Sequence, residues 1–370
     1  MKILSTRNVR SRVLRPYWSG LYTFHLVHFS RRYFGRNSVI GLPLGASNSH
    51  TMPASTSGYP SNPTVLLASF AIVYIVWGST FYAIRAGIES FPPFLLAGLR
   101  HLSVGLVFYP AFRIVSRERP TLAQWRTTFI TGCLLLAVGN GTVSWAEKTV
   151  PSGIAALLVA TVSLWMVFLE WVRPGGVRPV PRVMAGFLLG FSGMALLIGP
   201  KHFGDSARID PVGALALIGA SLAWATGSIY SRHHPLPRAP LLAAGMQTLC
   251  GGSVLCLFAV AIGETRNFHF ANVSQRSWLA LIYLFVFGSA LGFSAYVYML
   301  KHSTASRVAT YAFVNPVVAL FLGWFLASEP LSLRTMLASG IILTAVLLVI
   351  SAPHKTQAEA KEAIPTPGEA

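Results

Sequence analysis

Apolar residues along this chain form long runs that alternate with short polar segments. Most Arg, Lys, Asp and Glu residues lie between the runs. An α-helix rises about 1.5 Å per residue, so a run of about twenty residues crosses the roughly 30 Å hydrocarbon core of a bilayer. The pattern predicts an all-α integral membrane protein with ten transmembrane helices, at residues 65–84, 93–114, 125–145, 152–172, 181–199, 211–230, 241–263, 278–300, 307–327 and 333–350.

The composition supports a membrane protein and excludes a soluble domain. Hydrophobic residues make up 53% of the 370 residues, charged residues make up 11%, and the mean hydropathy is +0.57. The net charge of +18 raises the question of nucleic-acid binding. Eight of the 29 basic residues precede the first apolar run, without an acidic residue among them, and many others flank the predicted helices. This distribution indicates charge that orients a protein in the bilayer rather than a nucleic-acid partner.

The two ends of the chain are predicted to lie outside the membrane core. Residues 1–62 lack a sustained helical period and are rich in Ser, Arg, Gly and Pro. They are compatible with an organelle transit peptide, with a cytoplasmic tail, or with sequence upstream of a true start at Met52, and we favour the last interpretation. We expect this basic leader and the C-terminal tail, 351–370, to be disordered.

Motifs of catalysis, cofactor binding and metal binding are missing from the sequence. Cys133, Cys250 and Cys256 fall inside apolar runs without the spacing of metal ligands, so we predict buried, reduced packing residues. There is no His-Glu-x-x-His motif, no phosphate-binding Gly-rich loop and no nucleophile elbow. We therefore predict no enzyme activity, no cofactor and no metal. Without an ATP-binding domain, the energy for any transport must come from a gradient.

Comparison of the chain with itself indicates an internal repeat. An offset of 147 residues places Trp77 on Trp224 and lays residues 93–99 on 240–246, and an offset of 153 places Trp125 on Trp278 and Lys148 on Lys301. The two halves are residues 65–199 and 211–350, with five predicted helices each. An odd number of helices makes the second half enter the membrane from the opposite side, so the repeats are predicted to be inverted.

An inverted repeat suits a transporter, because two arrangements of the same halves can expose one central site to either side. The basic residues divide eleven to seven between the two sets of loops, which predicts that both termini are cytoplasmic. Two alternatives remain: a duplication kept only for fold stability, and a receptor or scaffold that moves no solute.

Several polar residues interrupt the predicted helices of the first half. Arg100 lies about seven residues, or roughly 10 Å, into the second helix, where it is either an ion-pair anchor or a substrate contact. We expect His101 to have its hydrogen bonds satisfied. Asn140, between two glycines, is a candidate ligand contact. Glu147 is either a partner of Arg100, with a possible role in proton coupling or gating, or a solvated residue at the membrane boundary.

The second half contributes a matching set. Gln247 occupies the position equivalent to Arg100, and the ninth helix carries Tyr311, Asn315 and Pro316. A proline inside a membrane helix frees a carbonyl for a ligand or permits a hinge. Trp77 is a candidate for lining an apolar cavity. Glycines 186, 190 and 193 form a small-residue face for helix packing.

Five motifs strongly resemble the drug/metabolite transporter superfamily and, within it, the ten-helix EamA exporters of the YedA type. They are residues 76–81 (VWGSTF), 91–100 (FPPFLLAGLR), 136–141 (LAVGNG), 150–156 (VPSGIAA) and 311–318 (YAFVNPVV).

The resemblance implies a multi-pass permease of a bacterial cytoplasmic membrane that exports small metabolites, including amino-acid-like ones, or drugs. It also implies cavity or gate positions at Trp77, Arg100, Asn140, Glu147, Tyr311, Asn315 and Pro316. Ser163 departs from the family pattern, because relatives usually have proline there. We therefore expect a straighter fourth helix.

Overall fold

The computed structural model describes residues 63–174, 179–198, 209–303 and 310–351. The predicted leader and nearly all of the predicted tail lie outside these residues, so their predicted disorder stays a prediction.

Helices make up nearly all of the described part of the chain, with no strand in it. We number them α1 (Pro63–Gly87), α2 (Pro93–Ser116), α3 (Leu122–Ala146), α4 (Ser152–Val172), α5 (Pro181–Ile198), α6 (Pro211–His233), α7 (Pro240–Ala261), α8 (275–302), α9 (Tyr311–Ala327) and α10 (Leu333–Ile350). Within the described residues, seven helices, α1–α4 and α6–α8, are long and apolar enough to cross a membrane. The prediction of a helical, multi-pass membrane protein is confirmed.

The count of ten crossings stays a prediction. Helices α5, α9 and α10 are apolar, but they contain only 18, 17 and 18 described residues. Helix α5 ends directly before undescribed residues, and one described turn residue separates such residues from α9 and from α10.

Local chemistry explains where the helices begin. Proline stands at the first position of α1, α2, α5, α6 and α7, where its missing N–H would have no helical partner. Elsewhere a side chain accepts the free N–H groups. Thr121 and Gln124 form a reciprocal capping box before α3. Asp210 accepts from the N–H groups of Val212 and Gly213 at the start of α6.

Helices α3 and α8, which are equivalent in the predicted repeat, share an irregularity. Each contains eight residues of π-helix, Cys133–Asn140 in α3 and Leu284–Leu291 in α8, followed by a glycine that resumes the α-helix. A shorter π-helical segment, Val73–Trp77, interrupts α1. Segments of π-helix are rare and occur frequently at functional sites. All three carry or adjoin residues of the cavity described below.

Helices α2 and α7 pack on each other through glycines, and their contacts repeat with the 147-residue offset. As residue numbers rise along α2, the partner positions fall along α7, so the helices are antiparallel. A Cβ atom on any of the four glycines would come within 2.7 Å of the partner helix, so only glycine permits this approach. Gly98 contacts Cys256, and the equivalent contact in the repeat joins Gly245 and Tyr109. In the same way, Gly105 contacts Leu249, and the equivalent contact joins Gly252 and Leu102.

The predicted small-residue face of α5 packs against α10. Gly186 faces Val349, and Gly193 faces Ile342. Gly190 meets Leu164 of α4 and Ala345 of α10. Equivalent helices of the two halves therefore pair at this position as well.

The expectation of a straighter fourth helix is not met. The α-helical pattern of α4 is interrupted at Ala160 and Thr161, although no proline stands there. The Thr161 hydroxyl donates to the Leu158 carbonyl at 2.5 Å and so offers the backbone an alternative to the helical bond. Helix α9, by contrast, continues without a break through Pro316.

The outer surface of the bundle is apolar. Leu67, Leu188 and Leu257 expose 71%, 74% and 69% of their surface on three different helices. Exposed apolar surface of this extent is what a protein presents to lipid rather than to water.

Candidate functional site

A cavity of about 200 Å³ lies between the two halves. Helices α1–α4 of the first half and α6–α9 of the second half line it, whereas no described residue of α5 or α10 does. It is large enough for several water molecules or for one small organic solute.

Packed side chains separate the cavity from one end of the bundle. We call this the capped end; it carries the loops 88–92, 147–151, 262–274 and 328–332. Ile84 and Val143 line the cavity and belong to a buried apolar cluster that continues to Val150 and Ile154 at the capped end. In the other direction the lining extends to Tyr311, the first residue of α9. The cavity therefore extends through the middle of the bundle, from Ile84 and Val143 on the side of the capped end to Tyr311 on the other side.

Arg100 is the one charged side chain among the described residues that line the cavity. It is 9% exposed, and its Nε donates to the hydroxyl of Ser289 in α8 at 3.2 Å. Its two terminal nitrogens have no hydrogen-bond partner within the described part of the chain, and no carboxylate there lies within 4.0 Å. The ion-pair interpretation of Arg100 is thus unsupported by contact.

An aromatic and amide group forms another part of the lining. The Trp77 indole N–H donates to the Gly288 carbonyl at 3.1 Å, which ties α1 to the π-helical segment of α8. The ring of Tyr311 lies edge-on to Trp77, with centroids 5.3 Å apart. With its amide nitrogen turned toward them, Asn315 donates to the carbonyls of Tyr74 and Tyr311 at 3.2 and 3.3 Å. Pro316 follows it on the cavity wall.

Asn140 lines the cavity at the last position of the π-helical segment of α3. Its side-chain amide makes no hydrogen bond to any other described residue, so it is available to a ligand. Gly139 beside it packs against the ring of Trp224. The signal in the sequence, an asparagine between glycines, thus coincides with an open polar group on the cavity wall.

Two predicted site residues lie outside the lining. The Gln247 amide donates to the Thr131 hydroxyl at 3.0 Å and so links α7 to α3, while its neighbour Thr248 reaches the cavity. Glu147 is completely buried, which contradicts a solvated boundary residue. Neither of its carboxylate oxygens has a hydrogen-bond partner among the described residues, and its backbone carbonyl accepts from Arg85.

The surroundings of Glu147 make its charged form unfavourable. It directly follows the last residue of the span Leu122–Ala146. Burial raises the pKa of its carboxyl well above the ordinary value; Glu329 raises it further, while Arg85 and Arg100 oppose the shift. These surroundings favour the protonated, neutral form of the carboxyl.

The expectation that His101 is satisfied is wrong. His101 lines the cavity, is 4% exposed, and has no partner for either ring nitrogen in the described structure. Sequence reasoning also missed Thr80, Ser221, Ser289 and Phe293. Serine and threonine are common in membrane helices, where they bond to their own backbone, so their number in the sequence carried no signal.

Comparison with known proteins agrees with this architecture. The chain is 37% identical over 285 residues to "Uncharacterized inner membrane transporter YedA" of Escherichia coli (strain K12), covering 77% of this chain and 90% of that protein. It is 25% identical over 294 residues to "Probable amino-acid metabolite efflux pump" of the same strain, covering 75% and 92%. A solved structure titled "Crystal structure of protein" shares the fold, with a TM-score of 0.52 and 21% identity over 78% of this chain and 96% of that one.

The two halves also match one family description separately. Residues 64–199 and residues 211–351 each match the EamA-like transporter family, so the same family unit occurs in both halves. The chain belongs to the EamA-like transporter family.

Proposed function

We propose that this protein is a secondary transporter that exports small organic solutes by alternating access through the central cavity. The observation that carries the proposal is the cavity itself, which four helices of each half line, α1–α4 and α6–α9. A site shared equally by two related halves can be exposed to either side when one half rocks against the other.

The contacts between α2 and α7 support an inverted relation of the halves. Equivalent glycines contact equivalent partners along two antiparallel helices. A twofold axis perpendicular to the helices produces this pattern, and such an axis lies in the membrane plane. With five helices in each half, ten helices cross the membrane, and both termini lie on the cytoplasmic side. The name of the relative YedA supports the bacterial inner membrane as its location.

Within the cavity we assign direct solute contacts to Arg100, Asn140, Asn315, Trp77 and Tyr311. Pro316 supplies a point of bending in α9. Gln247 influences the site indirectly, through the bond between α7 and α3. Glu147 carries the coupling proton, because among the described residues it is a fully buried carboxyl whose charge acts on Arg100. A relative named as an amino-acid metabolite efflux pump supports small metabolites as cargo.

Counterflow in proteoliposomes tests the proposal. Vesicles containing the purified protein are loaded with a mixture of unlabelled amino acids, aromatic acids and dyes, and uptake of each labelled compound is followed. We expect transient accumulation of at least one compound, and its loss when Asn140 and Asn315 are both replaced by Ala. A receptor or scaffold would give no accumulation above that of empty vesicles, which would refute the proposal.

Cysteine labelling tests the membrane arrangement. In a background without native cysteines, single cysteines replace Glu89 and Arg117, which are exposed at the two ends of the bundle. A membrane-impermeant maleimide added to intact cells should label the first position and spare the second. Labelling of both positions would contradict the arrangement.

A further inference from the structure

We infer that the cavity selects small organic anions, with one carboxylate or similar acidic group on an apolar, planar body. This inference rests on the proposed function and specifies its solute class. According to this inference, zwitterionic amino acids are not the preferred cargo.

The first step is the charge balance of the cavity. Arg100 supplies one positive charge, and none of the described lining residues is Asp, Glu or Lys. Glu147 lies close enough to interact electrostatically with Arg100, but it makes no ion pair and its surroundings favour the neutral form. A guanidinium buried in a low-dielectric site without a counterion is costly, and an anionic solute removes that cost.

The second step is the shape of the free donors. Arg100 Nε donates a hydrogen bond to the Ser289 hydroxyl. The two terminal nitrogens of the guanidinium have no partner in the described structure. Gly288 keeps the space beside one of them open, since a Cβ atom there would lie 3.3 Å from that nitrogen. A guanidinium with free terminal nitrogens binds a carboxylate through two parallel hydrogen bonds.

The third step is the remaining wall, which is apolar and aromatic. Its rings are those of Trp77, Phe81, Phe108, Trp224, Phe293 and Tyr311. The bond from Trp77 to the Gly288 carbonyl holds one of these rings beside the guanidinium site. A flat apolar body can stack on such rings while its acidic group meets Arg100.

The fourth step excludes a second charge on the solute. An amino acid would bring an ammonium group into the cavity, where only neutral acceptors such as Asn140 and Asn315 are present among the described lining residues. Without a carboxylate to meet it, the ammonium loses its water and gains no ion pair.

Three probes of similar shape separate the effects of the acidic group, the apolar body and an added ammonium group. The compound 3-phenylpropionate is an anion, 3-phenylpropionamide is neutral, and phenylalanine is a zwitterion. Binding of each to the full-length protein in lipid nanodiscs is measured by calorimetry. We expect the anion to bind at least about tenfold more tightly than either of the others. Arg100→Gln should weaken binding of the anion about tenfold and change binding of the amide less than about threefold, and Arg100→Lys should restore part of the loss.

The matched control is Arg276→Gln, which removes an arginine that is exposed, paired with Glu89 at 2.9 Å, and outside the cavity lining. It should leave all three affinities unchanged. The selectivity of the wild type is informative even if an Arg100 variant folds poorly. Equal affinity for the three probes, tighter binding of phenylalanine, or binding of none of them would overturn the inference. The counterflow experiment would still stand in each of these cases, so failure here is distinct from failure of the transporter proposal.

Discussion

At the residue scale, two glutamates cap helices that belong to the other half of the molecule. Helices α2 and α4 both follow a proline at the capping position, which has no side-chain acceptor. Glu264 accepts from the N–H of Leu95 at 2.9 Å, and Glu329 accepts from the N–H groups of Ser152 and Gly153 at 2.7 and 3.1 Å. A carboxylate at a helix N-terminus satisfies free donors and complements the helix dipole.

We predict that Glu329→Ala destabilises the protein by about 1–2 kcal/mol, because two N–H groups of α4 lose their acceptor. Thermal unfolding in detergent, followed by circular dichroism, measures the effect. Glu89→Ala is the matched control, since Glu89 forms an exposed ion pair with Arg276 and should contribute less than about 1 kcal/mol. Equal losses in the two variants would show that the cap is not what stabilises this end.

At the element scale, the α2–α7 pair depends on close backbone approach. A Cβ on Gly105 would lie 2.4 Å from the Leu249 Cα, and neither backbone can move without disturbing the other three glycine contacts. The pair therefore tolerates no side chain at these positions.

We predict that Gly105→Ala lowers stability by about 1–3 kcal/mol through overpacking. Gly219→Ala is the control, because no atom lies within 4 Å of a Cβ there, and alanine in a helix is favoured over glycine by about 1 kcal/mol. The first variant should unfold at a lower temperature than the wild type and the second at the same or a higher one. A stable Gly105→Ala would mean that the two helices are less closely packed than described.

Some elements were predictable from the sequence because their signals are local. Prolines at 93, 181 and 211 mark the starts of α2, α5 and α6 at the predicted residues. The π-helical segments of α3 and α8 were not predictable. In a π-helix each backbone hydrogen bond joins residues five apart instead of four, and no residue type requires this change. The break in α4 at Ala160 and Thr161 was also missed, because proline was the expected signal and none stands there.

The candidate site was predictable only in part. Arg100, Asn140 and Asn315 stand out in apolar helices because burying a polar side chain is costly, and all three line the cavity. Gln247 was identified by its equivalence to Arg100, yet it bonds to Thr131 outside the lining. The repeat places two residues at equivalent positions on two helices, but it does not make the neighbours of those helices equivalent.

At the scale of the whole molecule, Arg100 and Glu147 place a positive charge and a proton-accepting group close enough to interact electrostatically. The charged groups that act on the Glu147 carboxyl are Arg85 from α1, Arg100 from α2 and Glu329 from the loop after α9. When Glu147 is protonated, the charge of Arg100 is uncompensated and attracts an anion. When Glu147 is ionised, its charge partly offsets that of Arg100. Proton binding and anion binding therefore favour each other, a linkage that suits export of both together, driven by the outward gradient of the solute rather than by that of protons.

The pH dependence of anion binding tests this linkage. The probe 3-phenylpropanesulfonate stays ionised throughout, so any change in affinity comes from the protein. Because the pKa of Glu147 is raised, the wild type should bind the probe most tightly at low pH and lose affinity several-fold as the pH rises and the carboxyl ionises.

Glu147→Gln keeps a neutral side chain at every pH, so it should bind tightly with no such decline. Asp210→Asn, a change at a partly exposed carboxylate that caps α6, should retain the wild-type profile. If Glu147→Gln loses affinity with rising pH as the wild type does, the proton is bound elsewhere, and Glu147 cannot couple proton movement to solute export.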